Sequence, residues 1–404
     1  EETDTFDGPP YHFSSSEQRH SLVVRLIERF SRRRTPLVWL DDLQWGADTI
    51  DLLEHLLSSA SPPPPALILG TVRTDLLADQ PRIRRQLDII VGDDRCRRLE
   101  VPPLESLDQR ELLERLLPLD DQVLDLLARR TEGNPLFAIQ LLGHWVERGA
   151  IEVKPTGFGL VEADDIDIPT DVHALWMERI DRLVSVFSAE RAADAVESLE
   201  LAAALGPEVD EVEWRAACAR GEYEIPTGLV DAMVLRGLAN QTREGWTFAH
   251  GLLVESLERR SRSADRWRDH HRLCARTLSE LYDDFPLESA ARRADHWLES
   301  GEMERAVAVL AEQRQFAHEN GALKEEHQTL ERRDQLLDRL EIDPLDPRRI
   351  QNDVWKAARD LLAGSPPGEA LEAASGVAER AETAGETDLR ATACIVASRA
   401  KNRL

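Results

Sequence analysis

Apolar residues recur at helical spacing near the start of the chain, at Leu22, Val23, Leu26, Ile27 and Phe30, and predict a helix over residues 14–34. Ser14, Ser15 and Ser16 offer caps for its start, and Arg32-Arg33-Arg34 suits the negative end of its dipole. Pro36 ends it. Leu37-Val38-Trp39-Leu40 then runs apolar without alternation, as a strand buried on both faces of a parallel sheet does. A helix is expected from Thr49 to Leu57, followed by a loop at Pro62–Pro65 and a second buried strand over Ala66–Thr71. A third short strand is expected at Leu99-Glu100-Val101, stopped by Pro102-Pro103. Strands and helices at these spacings read as βαβ units around a parallel sheet.

From Leu104 the pattern turns helical. One helix follows Ser106-Leu107-Asp108 to Leu117, and a second follows Asp120 or Asp121 to Arg130. After the break Thr131-Glu132-Gly133-Asn134-Pro135 a third runs over Leu136–Glu147. Residues 152–168, rich in Gly and Asp, read as a linker or exposed loop, and Pro169-Thr170-Asp171 starts a helical region reaching Ala219. Leu238-Ala239-Asn240, the turn residues Arg243-Glu244-Gly245 and Trp246-Thr247-Phe248 predict a β-hairpin. Helices on both sides of it give the layout of a winged-helix module. Beyond Ser261 no strand pattern survives. Similar breaks at Leu298–Gly301, His318–Gly321 and Glu382–Gly385 separate amphipathic runs, the rhythm of antiparallel helix pairs of the tetratricopeptide type. The run that ends at Leu404 has no polar capping unit, so the array is expected to continue.

Composition narrows the function classes. A chain of 404 residues is too long for one core and is expected to form two to three domains. The formal net charge of -26 argues against a broad nucleic-acid-binding surface. Cys96, Cys218, Cys274 and Cys394 lie far apart and form no C-x-x-C pair, which suggests neither a zinc site nor a disulfide framework and fits a reducing cytoplasm. No apolar run approaches about 18 residues, so no membrane-spanning helix is expected. The acidic start Glu1-Glu2-Thr3-Asp4-Thr5 is no signal peptide and lacks an initiator Met, as expected of a piece of something longer or of a processed product.

The chemistry concentrates where the first strand ends, in Leu40-Asp41-Asp42-Leu43-Gln44-Trp45-Gly46-Ala47-Asp48. An apolar strand that gives way to two carboxylates places them at the carboxyl edge of a sheet, where open α/β folds bind ligands. Asp48, Asp51 and Glu54 read as helix capping and a solvated face. His270 and His271, adjacent on a helix, point in different directions and cannot easily share a metal. No G-x-x-x-x-G-K-[ST] occurs in the chain, nor any Ser-His-Asp, H-E-x-x-H or G-x-S-x-G arrangement.

The order of Leu40–Asp48, Gly70-Thr71-Val72-Arg73, Gly133-Asn134-Pro135-Leu136 and Phe248-Ala249-His250 resembles the STAND class of signalling ATPases within the AAA+ superfamily. The nearest look-alikes are bacterial regulators that join this ATPase to helical repeats, and the resemblance runs over residues 14–340. It implies an α/β parallel-sheet P-loop NTPase remnant at 1–103, a helical lid at 104–150, a winged-helix-like domain at 151–262 and tetratricopeptide-like repeats at 263–404. It implies ATP or ADP and Mg2+ as cofactors. Asp41 would hold magnesium through water, and Asp42 would polarise the attacking water. Arg73 would sense the γ-phosphate, Pro135 would pack on adenine, and His250 would touch the β-phosphate of ADP. Each has a plainer counterpart: a strand end that caps the next helix, a surface arginine, a proline that starts a helix, and a histidine that closes a hairpin.

The phosphate cradle that such an ATPase needs is missing. Lys154, Lys324, Lys356 and Lys401 are the only lysines, and none sits in a glycine-rich turn. Either the chain starts after its P-loop or it is an ATPase that has lost phosphate binding. The resemblance therefore implies part of a cytoplasmic, ATP-dependent signal-transduction switch. Its repeats would take a protein partner, and self-assembly could follow. The rivals are a non-enzymatic helical-repeat scaffold and part of a transcription regulator whose DNA-reading domain lies elsewhere. No direct contact with nucleic acid or membrane is expected.

Overall fold

The computed structural model describes residues 16–58, 64–74, 76–154, 157–161, 171–284 and 286–404. Among them the chain is mostly helical, with small sheets of two, two and three strands. It forms two compact units, one from the residues up to Glu100 together with Leu310–Leu404, the other from Val101–Val309. Of the expected caps Ser14 and Ser15, the loop residues Pro62 and Pro63, and the helix start Pro169-Thr170, all lie outside the described residues.

The first unit opens with α1 (Ser16–Ser31), β1 (Leu37–Leu40), α2 (Ala47–Ser58), β2 (Leu67–Gly70) and α3 (Pro81–Val91). Strands β1 and β2 pair in parallel, with Leu37 opposite Leu67 and Leu40 opposite Gly70. Leu40 and Ile68 pack into a cluster with Leu43, Ile50, Leu53, Leu87 and Ile90, which holds α2 and α3 on one side of the sheet. The other side departs from the expectation of strands buried on both faces. Leu37, Trp39, Leu67 and Leu69 are 65%, 66%, 63% and 48% exposed. A parallel sheet buries both faces only where elements cover both sides, and no described residue covers this one. The third strand expected at Leu99–Val101 does not form either. Leu99 and Val101 are exposed, and with no ladder to join, their apolar character alone makes no strand.

The second unit begins with α4 (Ser106–Leu116), α5 (Asp121–Thr131) and α6 (Pro135–Glu147). Asp120 caps α5 through the Val123 amide, and Asn134 caps α6 through the Phe137 amide. The first part of the 152–168 segment read as a linker belongs to a hairpin, β3 (Ile151–Lys154) and β4 (Gly157–Leu160), with Val153 opposite Phe158, and its remainder, 162–168, lies outside the described residues. Phe158 and Leu160 pack against the α4–α6 core, and this burial outweighs the loop-like composition. Then come α7 (Val172–Val184), α8 (Ala189–Leu205), β5 (Glu208–Asp210), α9 (Glu211–Arg220), α10 (Leu229–Leu235), β6 (Ala239–Gln241) and β7 (Gly245–Phe248). The expected hairpin is present as β6 and β7, and β5 adds a third strand on the far side of β7. Its core stacks Trp214 edge-on to Trp246 at 5.3 Å and Trp246 to Phe248 at 4.8 Å.

Among the described residues only helices follow: α11 (Gly251–Ser263), α12 (Trp267–Leu281), α13 (Pro286–Glu299), α14 (Met303–Glu319), α15 (Leu323–Arg339), α16 (Pro347–Ala363), α17 (Pro367–Ala384) and α18 (Thr387–Lys401). The boundary between units falls within α14. In the first unit α15 packs on α16, α16 on α17 and α17 on α18, consistent with helical repeats. Small apolar residues close these contacts, Ala357, Leu361, Ala370 and Ala374 in one layer and Ile350, Val354, Val377 and Ala381 in another. The breaks expected at Gly301, Gly321 and Gly385 all carry positive φ.

Candidate functional site

Asp41 and Asp42 leave the C-terminal end of β1, and both are exposed. The register that sets Leu40 beside Gly70 brings the next residues, Asp41 and Thr71, together. The Thr71 hydroxyl donates to Asp41 Oδ1 and accepts from the Asp42 amide at 2.9 Å. The Thr71 amide donates to the Leu40 carbonyl at 3.0 Å, and the Leu43 amide donates to the Thr71 carbonyl at 2.9 Å. One residue thus ties the ends of both strands. Asp42 turns the chain through a left-handed conformation, φ 51° and ψ 51°, which costs Asp less than most residues. The turn leads into a short 3-10 helix, Leu43–Trp45.

Gln44 lies in that 3-10 turn and is only 2% exposed. Its Nε2 donates to Asp42 Oδ1 at 3.0 Å, and its Oε1 accepts from the Arg73 amide at 3.1 Å. Asp41, Asp42, Thr71, Gln44 and Arg73 therefore form one hydrogen-bonded group at the carboxyl edge of the sheet. Two solvent-facing carboxylates whose backbones are fixed can carry a hydrated cation or take a proton from water. No group of three metal-ligating side chains occurs among the described residues. The sequence motifs contain Gln44 and Thr71, and no local pattern assigns them these roles. The available signal was register, since Thr71 follows its strand at the level where Asp41 follows the neighbouring one.

Pro135 and His250 belong to the second unit. Gly133 takes φ +80°, and a Cβ there would lie 2.5 Å from the Leu104 carbonyl oxygen, so the turn needs glycine. Asn134 is the cap and Pro135 the first residue of α6, a place that suits its fixed φ. His250 precedes α11 and sets its ring 5.2 Å from that of Trp176, which is 1% exposed.

One other sequence reading changes, that of Asp51, while His270 and His271 point to different partners as adjacent helix positions should. Asp51 is not on a solvated face: it is 8% exposed and accepts from Gln86 Nε2 at 3.0 Å and Gln328 Nε2 at 3.2 Å. Lys324 Nζ lies 3.4 Å from it, so Asp51 joins α2 to α3 and α15. His270 faces the Ser261 hydroxyl at 3.0 Å, while His271 Nδ1 meets His296 Nδ1 at 2.8 Å.

The chain matches no protein-family model, and no curated protein matches it. Among solved structures it is similar to a signal transduction ATPase with numerous domains (STAND) protein with a tetratricopeptide repeat sensor from Pyrococcus horikoshii. The identity is 12% and the TM-score 0.32, over 96% of this chain and 62% of that one. The chain thus spans less than two thirds of that protein's length. Among the described residues no helix is long and apolar enough to cross a membrane.

Proposed function

We propose that the chain is part of an ATP-dependent signal-transduction switch of the STAND type, in which nucleotide state is coupled to partner sensing by helical repeats. The observation that carries this reading is the group at the end of β1 and β2, where the Asp41 and Asp42 carboxylates face solvent beside Arg73. In this reading Asp41 supports Mg2+ through water, Asp42 draws the proton from the attacking water, and Arg73 meets the γ-phosphate. The sequence α8-β5-α9-α10-β6-β7, with sheet order β5-β7-β6, supports the winged-helix part of the proposal. The packed α15–α18 array supports a protein-binding role for the repeats. No G-x-x-x-x-G-K-[ST] lies within the 404 residues, so the switch requires a phosphate cradle from outside them.

The test is Mg-ATP turnover by the full-length protein. Asp42→Asn should abolish hydrolysis and leave ATP binding intact, whereas Asp41→Asn should also weaken Mg2+-dependent binding. Equal turnover in wild type and Asp42→Asn excludes Asp42 as the group that activates water. A non-enzymatic scaffold is the second reading. It is favoured by Gly133, Asn134 and Pro135, which the turn into α6 explains without any ligand.

A further inference from the structure

Both ends of the Gln44 carboxamide are used in the hydrogen bonds at the strand ends. A glutamine offers one acceptor oxygen and two donor hydrogens. Here the donor end holds the carboxylate of Asp42 and the acceptor end holds the backbone of Arg73, two groups that arrive on different strands. The residue itself is buried, so water does not compete well for either bond. Its backbone is equally constrained. The turn begins at left-handed Asp42, and the next residue, Leu43, packs against Gly70, where a Cβ would lie 2.6 Å from Leu43 Cδ1. Thr71 fixes Asp41 and the Asp42 amide from the other side but makes no bond to the Asp42 carboxylate.

We propose that Gln44 is a positioning residue that couples the Asp42 carboxylate to the backbone of the Arg73 loop, so that the exposed acid and the loop that carries Arg73 move as one body. This rests on the site reading above. The coupling needs both ends of the amide at once. A residue that only accepts keeps Arg73 in place and releases Asp42, and an apolar residue of equal length releases both.

The experiment compares wild type, Gln44→Glu and Gln44→Met in the full-length protein. It uses hydrogen exchange at the Arg73 amide and steady-state Mg-ATP turnover, with circular dichroism to establish that each variant is folded. Gln44→Met should expose the Arg73 amide to exchange about tenfold faster, the scale of one hydrogen bond. Gln44→Glu should keep that amide protected because its carboxylate still accepts. Both should lower kcat by about 10- to 100-fold with KM changed far less, as expected when a reacting group loses its aim. An Arg73 amide that exchanges equally in wild type and Gln44→Met overturns the coupling. If the exchange pattern holds but kcat is unchanged in a wild type that turns over, the positioning role is overturned. A wild type that neither binds nor hydrolyses Mg-ATP overturns the site reading, and the exchange arm still decides whether Gln44 joins the two loops. Should Gln44→Met fail to fold, Gln44→Glu alone decides, because loss of protection in it contradicts the acceptor role.

Discussion

Acid should unfold the second unit through its buried histidines. His270 is 0% exposed and His271 and His296 are 6% exposed, and all three are enclosed by α11, α12, α13 and their neighbours. Burial pushes His270 down to about 4, with the Arg266 guanidinium adding to it. Burial pushes His271 down to about 3, helped by Arg262 and His270. Burial, then His271 and Arg292, holds His296 at about 3, against the opposite pull of Glu213 and Glu299. These folded values lie below the ordinary value near 6.5, so the unfolded chain takes up protons that the native chain refuses. Stability that is present at pH 7 is therefore lost as pH falls through about 6.5 towards the folded values. Between pH 7 and pH 5 each histidine removes about 2 kcal/mol, and the three together about 6 kcal/mol. That is a large share of a typical domain's stability of about 5–15 kcal/mol.

The structure gives the reason in bonds as well as in burial. His271 and His296 face each other nitrogen to nitrogen at 2.8 Å, so one neutral ring donates and the other accepts. Protonating the acceptor turns both facing atoms into donors. The Glu213 carboxylate does not blur the window. Burial raises the Glu213 carboxyl, but hydrogen bonds from Arg292 and Tyr282 outweigh it and hold the group below its ordinary value, so it titrates at more acid pH. The assay is urea denaturation followed by tryptophan fluorescence at pH 7, 6 and 5, for wild type and for the double variant His271→Leu/His296→Leu. Replacing both partners leaves no orphaned polar group from the pair. The double variant should lose about 4 kcal/mol less than wild type over this range. Parallel pH dependences in the two proteins would refute the reasoning.

Two further outcomes are expected. Gly133→Ala forces a Cβ against the Leu104 carbonyl at a φ of +80°, and it should cost about 1–3 kcal/mol, read as a lowered melting temperature by calorimetry; an unshifted melt means the turn relaxes freely. In the reading that has His250 touch the β-phosphate of ADP, His250→Ala in the full-length protein should speed ADP release in stopped flow by about 10- to 150-fold, the loss of one hydrogen bond to a charged group. An unchanged off-rate leaves His250 as the ring that packs on Trp176.

Local pattern was enough for the elements whose signal is periodicity or a fixed chemical role. The spacing of Leu22, Leu26 and Phe30, the apolar runs of β1 and β2, and the hairpin around Gly245 all read directly, because helix and strand present side chains with periods that short segments reveal. The cap at Asp120 or Asp121 read for a similar reason, since a cap acts only on amides two or three residues away, and the structure selects Asp120. The acidic pair at the end of β1 was visible because an apolar strand that ends in two carboxylates is itself a local pattern.

Tertiary structure decided what depends on partners distant in sequence. The linker-like 152–168 segment starts inside a hairpin because Phe158 and Leu160 find the α4–α6 core, and Leu99–Val101 is no strand because it finds no ladder. The apolar run Leu37–Leu40 reads the same whether a sheet is covered on one side or two, and only the fold shows Trp39 and Leu69 bare. Asp51 looked like a surface acid until α3 and α15 brought Gln86 and Gln328 to it. Thr71 and Gln44 gained their roles in the same way, since a hydrogen bond needs about 3 Å between groups, and residues 29 or 30 positions apart reach it only when strand register sets them side by side.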